Sequence, residues 1–219
     1  MSESAGNPGS TRRQRTRTEL MAAMRALIEE HGFRAVSMGA VAEKAGVSRR
    51  TAYLHFASRN EMISALFDYV TEQEGLAESL QPVWQAPDAV TALDEWARHL
   101  ARYHPRVLAV DRALDSVRRI DETVAQHREQ VSGDQQQAGH RLAQRLHQEN
   151  RLAPPWTVTT ASDMIWALMS SDVIERLIVE REWPPAHFAE HLAALFRATF
   201  VTDPLPDEGT SLGSAARTG

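Results

Sequence analysis

The chain has 219 residues, of which 42% are hydrophobic and 24% are charged. This length allows one large domain, or a small domain followed by a medium one, and the composition is that of an ordinary globular protein. Cysteine is absent, which excludes disulfides, thiolate catalysis and cysteine-ligated zinc, and favours a reducing cytoplasm. We expect neither a membrane helix, which needs roughly 18 apolar residues, nor a secretory signal.

The net charge of −5 is distributed unevenly along the chain. Residues 12–59 hold ten Arg and Lys against four Glu, a net charge of +6. Residues 60–219 hold fourteen Arg and Lys against twenty-four Asp and Glu, a net charge of −10. A basic first quarter followed by an acidic body is typical of a protein whose N-terminal part binds DNA and whose body does not contact the DNA phosphates. Chance clustering of solvated charges is the alternative.

The chain begins with a polar stretch over residues 1–11, where Gly, Pro and Ser predict a disordered tail. A basic arm follows, consisting of Arg12, Arg13, Arg15 and Arg17. Thr16 and Glu19 have the spacing of a capping box, which predicts that the first helix starts near Thr16. Gly32 is expected to end this helix.

Residues 37–62 have the pattern of a helix-turn-helix. This motif needs a small residue where its helices cross, a glycine in the turn, and polar residues at the exposed start of its second helix. Ser37 is a suitable N-cap for the first of the two helices. Ala42 and Gly46 supply the small residue and the turn, and a short helix over about 48–56 begins with Ser-Arg-Arg-Thr. A generic helical hairpin with an exposed arginine pair is the alternative.

The rest of the chain is predicted to be helical. Ser58 and Glu61 form a second capping box, at the start of a long amphipathic helix that extends to about Leu76. Pro82 and Pro87 are expected to bound an irregular link. Further helices are expected over about 88–103, from Pro105, and over about 121–150, 157–181 and 186–201, followed by a disordered tail over 203–219. The predicted fold class is therefore all-α, with about nine helices.

The segment from Thr16 to about Phe67 resembles the N-terminal domain of the TetR (tetracycline-repressor) family of transcriptional regulators. The matching residues are His31-Gly32-Phe33, Ser37, Val41-Ala42, Ala45-Gly46-Val47-Ser48, Thr51, Tyr53-Leu54-His55-Phe56, Ser58 and Arg59. The resemblance implies a helix-turn-helix DNA-binding domain over residues 12–57 and a helical effector-binding and dimerisation domain over 58–202. It also implies a cytoplasmic homodimer, more often a repressor than an activator, that binds a palindromic operator in double-stranded DNA and responds to an unknown small molecule.

Positions on the motif indicate which residues contact DNA. Arg49 and Arg50, on the first turn of the recognition helix, can pair with guanine O6 and N7 in the major groove. The other residues expected to contact DNA are Arg17, Ser37, Ser48, Thr51, Tyr53, His55 and Arg59. Of these, Tyr53 and His55 resemble the family's phosphate-contacting pair. A solvated side chain is the alternative for each.

Three residues depart from the family's pattern. Gly39 stands where a longer, often polar residue is common, and Ala40 stands where an acidic residue often caps the helix. We therefore expect this helix to start less firmly and to make fewer contacts with the DNA backbone. Arg50 stands where the family often has glycine, and is expected to add a base or phosphate contact.

The last two predicted helices carry more apolar side chains than one face needs. Residues 164–169 are apolar nearly all round, so their helix must be covered on more than one side. The final helix carries an apolar stripe that includes Leu195 and Phe196. Both features agree with the homodimer interface through the last two helices that the resemblance implies. A central core helix in a monomer is the alternative.

The resemblance also implies a small-molecule pocket among the middle helices. The residues expected to line it are Trp96, His99, Leu100, Tyr103, His127, Met164 and Trp166. Their aromatic character favours an apolar ligand with a few polar anchors, and an ordinary core stripe is the alternative. His187 and His191 have the spacing of helical zinc ligands, but they flank the inner stripe of their helix, so no metal site and no cofactor are expected.

An enzyme is not indicated by the sequence. It contains no Gly-rich phosphate loop, no G-x-S-x-G elbow and no H-E-x-x-H motif. The remaining alternative is a constitutive DNA-binding protein whose body dimerises but takes no effector. A ligand that weakens operator binding would distinguish the regulator from this alternative.

Overall fold

The computed structural model describes residues 8–202, which form ten α-helices and no β-strand. The head consists of α1 Pro8–His31, α2 Met38–Lys44 and α3 Arg49–His55, with a 3-10 turn at Phe33–Ala35. The body consists of α4 Arg59–Gln73, α5 Leu76–Gln85, α6 Ala89–Asp115, α7 Glu122–Gln148, α8 Val158–Ala167, α9 Ser171–Ile174 and α10 Pro185–Phe200. A π-helical segment, Glu175–Glu180, continues α9. The prediction of an all-α fold is confirmed. Among the described helices, none has the length and apolar character needed to cross a bilayer.

Three serines start α2, α3 and α4 as N-caps. The hydroxyl of each accepts a hydrogen bond from a backbone N–H three residues later: Ser37 from Ala40, Ser48 from Thr51 and Ser58 from Glu61. These bonds satisfy amides that the first turn of a helix leaves free. The Glu61 carboxylate accepts a bond from the N–H of Ala57 at 2.6 Å, one residue before the position that a capping box predicts.

The first helix is longer than the sequence predicts. α1 begins at Pro8, so Thr16 lies inside the helix and does not cap it. Proline is well tolerated in the first turn, because its missing N–H has no helical partner there. The predicted end is correct, since Gly32 has a φ of 75° and its N–H bonds to the carbonyl of Ile28. The rest of the two predicted tails, residues 1–7 and 203–219, lies outside the described residues.

Two prolines that were expected to separate elements lie inside helices. Pro82 lies within α5, where an irregular link was predicted, and Pro105 lies within α6, where a new helix was predicted. A proline costs one backbone hydrogen bond and strains the preceding turn. Burial of apolar residues on both sides, such as Ala101 and Leu108 around Pro105, outweighs this local preference.

The single helix predicted over residues 157–181 is divided. α8 ends at Ala167, and the hydroxyl of Ser170 accepts a hydrogen bond from the N–H of Asp172 to start α9. A serine hydroxyl offers the backbone a local alternative to a continuous helix. The apolar pattern runs across this break and therefore does not reveal it.

Two apolar cores hold the helices together. The first joins α1–α4 to the C-terminal part of α6 and the start of α7, and includes Met62, Leu66 and Leu114. The second lies among α5, α6, α7, α8 and α10, and includes Leu93 and Phe196. The first core crosses the predicted boundary at residue 57, so α4 packs as much with the head as with the body.

Candidate nucleic-acid interface and ligand cavity

The helix-turn-helix is formed by α2 and α3. The turn between them contains Gly46, whose φ of 68° lies in the left-handed region that favours glycine. Val41 and Ala42 of α2, and Ala52 and Phe56 at α3, are buried in the first core. This packing fixes α3 with its opposite side directed outward.

The rotation of α3 determines which side chains lie outermost. Residues rotate by about 100° each around a helix axis, so side chains four apart share a face. Because Ala52 and Phe56 are fully buried, Arg50 and Leu54 lie on the opposite face, and Leu54 is 67% exposed. The outer face of α3 therefore presents one cation beside one apolar side chain. The sequence did not single out Leu54, because a leucine in a helical pattern is normally assigned to the core.

The two flanks of α3 carry the other candidate residues. Arg49 and Tyr53 lie on one flank, and Thr51 and His55 lie on the other. Tyr53 is exposed, and the hydroxyl of Thr51 lies 2.8 Å from that of Ser48. Burial, followed by the charges of two neighbouring arginines, lowers the pKa of His55. His55 is therefore a neutral group at neutral pH.

The guanidinium of Arg49 lies across Gly39 of α2. A Cβ at position 39 would lie 2.6 Å from the Nε of Arg49, so any side chain there would force the guanidinium to move. The missing side chain of Gly39 therefore leaves the space that Arg49 occupies. The sequence predicted that Gly39 would weaken the start of α2 and reduce its contacts with the DNA backbone, but it did not predict the contact with Arg49.

Arg17 is engaged inside the head. Its Nη1 donates a hydrogen bond to the carbonyl of His55 at 3.1 Å, and its guanidinium lies 4.2 Å from the ring centroid of Phe56. These contacts tie α1 to the C-terminal end of α3. The side chain is held against its own domain, and its contact with DNA stays a prediction.

Arg59 joins the head to the body. Its Nε donates to the carbonyl of Val36 at 3.2 Å, and its Nη1 pairs with Asp121 at 2.8 Å. Asp121 is the N-cap of α7. Burial alone would raise the pKa of this carboxyl, but the hydrogen bond from Arg59 and those from the α7 backbone lower it. The sequence predicted that Arg59 contacts DNA, and the structure shows that its guanidinium also has a protein partner, Asp121.

A cavity of about 880 Å³ lies among α4, α5, α6 and α7. Four of the predicted lining residues, Trp96, His99, Tyr103 and His127, lie in its wall. The wall also includes aromatic and polar residues that the sequence did not single out: Phe67, Trp84, His104, Gln126, Gln130, Gln135, Gln137 and Gln144. The sequence of α7 gives no sign that its glutamines line a cavity, because that depends on where the fold places the neighbouring helices.

Three predicted lining residues lie elsewhere. Leu100 is fully buried in the second core, and Met164 and Trp166 are exposed on α8. α8 packs close to Gly139 of α7, where a Cβ would lie 3.0 Å from the carbonyl oxygen of Ser162. The cavity opens on another side of α7, so neither exposed residue of α8 reaches it.

The inner wall of the cavity is uncharged at neutral pH. Burial lowers the pKa of His99 to about 3 and those of His104 and His127 to about 4. Burial also raises the pKa of Tyr103 to about 12. The charged residues that line the cavity, Asp68, Asp134 and Arg141, are exposed and belong to its rim. The cavity therefore suits a ligand with an uncharged, largely aromatic part inside and polar groups at the mouth.

Four exposed apolar side chains lie on the last helical segments. They are Met164 and Trp166 on α8, Val179 on the π-helical segment and Leu195 on α10. Phe196, predicted to share an apolar stripe with Leu195 on a helix of the dimer interface, is instead fully buried in the chain's own core. Of the two neighbours, Leu195 alone faces outward.

The two histidines with helical metal spacing contact an aromatic side chain. The rings of His187 and His191 lie 4.0 Å apart, and both lie beside the ring of Trp183. Within residues 8–202, no group of three or more His, Cys, Asp or Glu side chains could hold a metal ion.

The head matches known regulators in sequence. Residues 20–66 match a family model described as bacterial regulatory proteins of the tetR family. The chain is also 33% identical over 73 residues to the HTH-type transcriptional regulator UidR of Escherichia coli K12. That match covers 33% of this chain and 37% of UidR, so the chain spans just over a third of the length of the curated relatives it matches.

The complete fold resembles solved regulators. NalD, the secondary repressor of the MexAB-OprM multidrug efflux pump in Pseudomonas aeruginosa, superposes with a TM-score of 0.66 and 24% identity over 88% of this chain and 98% of that one. A transcriptional regulator from Saccharomonospora viridis in complex with choline has a TM-score of 0.72 and 14% identity over 87% and 100% of the two chains. At these identities the likeness shows the fold.

Acidification should destabilise the protein through His99. The folded pKa of about 3 lies below the ordinary value of 6.5, so between these values the unfolded chain binds a proton that the folded chain does not. The stability that His99 contributes is complete above the ordinary pKa and is lost as pH falls below it, by about 1 kcal/mol per pH unit. Urea unfolding between about pH 7 and pH 5 measures this, with His99→Gln expected to have the shallower dependence. Equal slopes for the two proteins would contradict the assignment.

Proposed function

We propose that this protein is a repressor that binds a palindromic operator as a homodimer and is released by a small molecule. Through its N-terminal domain, the chain belongs to the TetR family of bacterial regulatory proteins. The relatives it matches are transcriptional regulators and not enzymes. The observation that carries the proposal is the outward side of α3, where a basic head presents exposed cationic and polar side chains.

The proposed DNA contacts lie on α3 and at the N-termini of α2 and α3. They are Ser37, Ser48, Arg49, Arg50, Thr51, Tyr53 and His55. In a helix-turn-helix the second helix enters the major groove while the first crosses the DNA backbone. We therefore propose that α3 enters the major groove and that α2 crosses the DNA backbone. Arg17 and Arg59 are proposed to hold the head together and to its body, because their guanidinium groups already have protein partners.

The exposed apolar residues on α8 and α10 support a homodimer. Met164, Trp166 and Leu195 are large side chains that the chain itself leaves exposed. A second copy that covers them would set two heads at a fixed distance, as a palindromic operator requires.

The cavity supports a small-molecule effector. It lies between α4, which begins with Arg59 beside the head, and α7, whose N-cap Asp121 pairs with Arg59. Two contacts join these helices: the ion pair of Arg59 with Asp121, and the stacked rings of Phe67 and His127, whose centroids lie 3.3 Å apart. We propose that a ligand pressed against α7 and α4 changes the position of the head through these contacts.

Binding to DNA should be sequence-specific and sensitive to salt. Selection from random duplexes with the full chain should yield a palindrome whose half-sites lie about one helical turn or more apart. Affinity should fall steeply with salt as counterions are released. Arg50→Ala should weaken binding, whereas Arg98→Ala, an equal charge change on α6, should not. A flat salt response with no selected motif would refute DNA recognition.

Replacing Leu195 by glutamate should give a monomer. Leu195 is 47% exposed on α10, so Leu195→Glu leaves the core intact but places a charge in the proposed interface. Ile120→Glu is the matched control, because Ile120 is an exposed apolar residue outside α8–α10. Sedimentation equilibrium should show a dimer for the wild type and for the control. A wild-type monomer, or a dimeric Leu195→Glu protein, would rule out this interface.

Ligand binding should weaken operator binding by way of Asp121. Compounds that quench tryptophan fluorescence, through Trp84 and Trp96 in the cavity wall, can be tested by operator titration. A tenfold release corresponds to about 1.4 kcal/mol of coupling, and DNA must weaken ligand binding by the same factor. Asp121→Asn retains an N-cap for α7 but loses the charge that pairs with Arg59. It should therefore bind the ligand but release DNA less.

The control for this variant is Asp94→Asn, which removes an ion pair with Arg197 inside the body and should leave the release unchanged. If compounds bind in the cavity and the wild type keeps its operator affinity, the protein is a constitutive DNA-binding protein and the switch does not exist.

A further inference from the structure

The outermost face of α3 combines two side chains with different base preferences. Arg50 and Leu54 lie one helical turn apart, opposite the buried Ala52 and Phe56. A guanidinium pairs with the O6 and N7 of guanine, and an apolar side chain packs on the 5-methyl group of thymine. Leu54 is exposed on this face, so its apolar side chain is available to a partner outside the chain.

The neighbouring arginine occupies a different place. Arg49 lies on the flank of α3 that faces α2, with its guanidinium across Gly39. The first helix of the motif crosses the DNA backbone. A guanidinium held on that helix is therefore placed beside phosphates and away from the floor of the groove.

We propose that Arg50 and Leu54 are the base-reading pair of this protein, that they read a guanine and a thymine, and that Arg49 contacts the backbone. This inference rests on the proposed DNA binding. Four residues of helix advance about 6 Å along the axis, and base pairs are spaced by about 3.4 Å. The guanine and the thymine therefore lie about two base pairs apart in each half-site. Gly39 determines this division of roles, because any side chain there would displace Arg49.

The test begins with the motif that the full-length protein selects from random duplexes, and then removes single groups from that duplex. Replacing the thymine by deoxyuridine deletes only the methyl group. This should weaken wild-type binding about fourfold, as expected for one buried methylene, and should leave Leu54→Ala binding unchanged. Replacing the guanine by 7-deazaguanine should weaken wild-type binding about tenfold and leave Arg50→Ala binding unchanged.

Two further variants test the role of Arg49. Arg49→Ala should weaken binding to all duplexes alike, keep the selected motif and reduce the salt slope by about 1. Gly39→Ala is compatible with a helix, but it displaces the guanidinium toward the groove and should change the motif beside the guanine. Unchanged unfolding midpoints of the Leu54→Ala and Arg50→Ala proteins confirm that these surface changes leave the head folded.

The outcomes separate this inference from the function on which it rests. If the wild type selects no motif, both are wrong. If it selects a motif, and deoxyuridine weakens the Leu54→Ala and wild-type proteins equally or Arg49→Ala relaxes the motif, the DNA-binding function stands and the assignment of the base-reading pair is overturned.

Discussion

One helix, α4, packs in the core of the head and also lines the cavity of the body. Its apolar side chains, Met62, Ile63 and Leu66, are fully buried in the core that it shares with the head, while Ser64, Asp68 and Thr71 line the cavity. Packed cores resist gradual deformation and shift between discrete arrangements. A change in the width of the cavity that moves α4 must therefore move the helices packed against its other side. In the proposed switch, no flexible linker is needed to couple the head to the cavity, because α4 packs against the head and also lines the cavity.

The polar contacts at this wall fix geometry more than they add stability. The side chains of Arg59 and Asp121 are both partly exposed, so their ion pair contributes about 1 kcal/mol or less. Its position matters more than its strength, because Arg59 also donates to the carbonyl of Val36 in the head. One guanidinium thus connects the segment before α2, the first turn of α4 and the first turn of α7. A rigid, planar donor group holds three elements in a defined relation where a lysine would not.

Local signals in the sequence predicted most of the helix boundaries of the head, although they missed the start of α1 at Pro8. Ser37 and Ser58 predicted helix starts, Gly32 and Gly46 predicted turns, and each of these features depends on neighbours within a few residues. Features that depend on distant partners could not be predicted in the same way. Pro105 lies inside α6 because burial on both sides outweighs a broken hydrogen bond, and burial is a property of the assembled fold.

The same difference between local signals and contacts with distant partners applies to the candidate sites. The family resemblance implied that Trp96, His99, Tyr103 and His127 line a pocket, and all four lie in the wall of the cavity. Met164 and Trp166 have the same apolar character but lie on an outer helix, and no periodic pattern distinguishes a cavity from a dimer surface. Arg17 and Arg59 matched a DNA-binding pattern by position, whereas their contacts with Phe56 and Asp121 depend on the assembled fold and could not be predicted from the sequence. Leu54 shows the reverse case. Its exposure became visible only when the burial of Ala52 and Phe56 fixed the rotation of α3, and the proposed apolar contact with a base depends on that exposure.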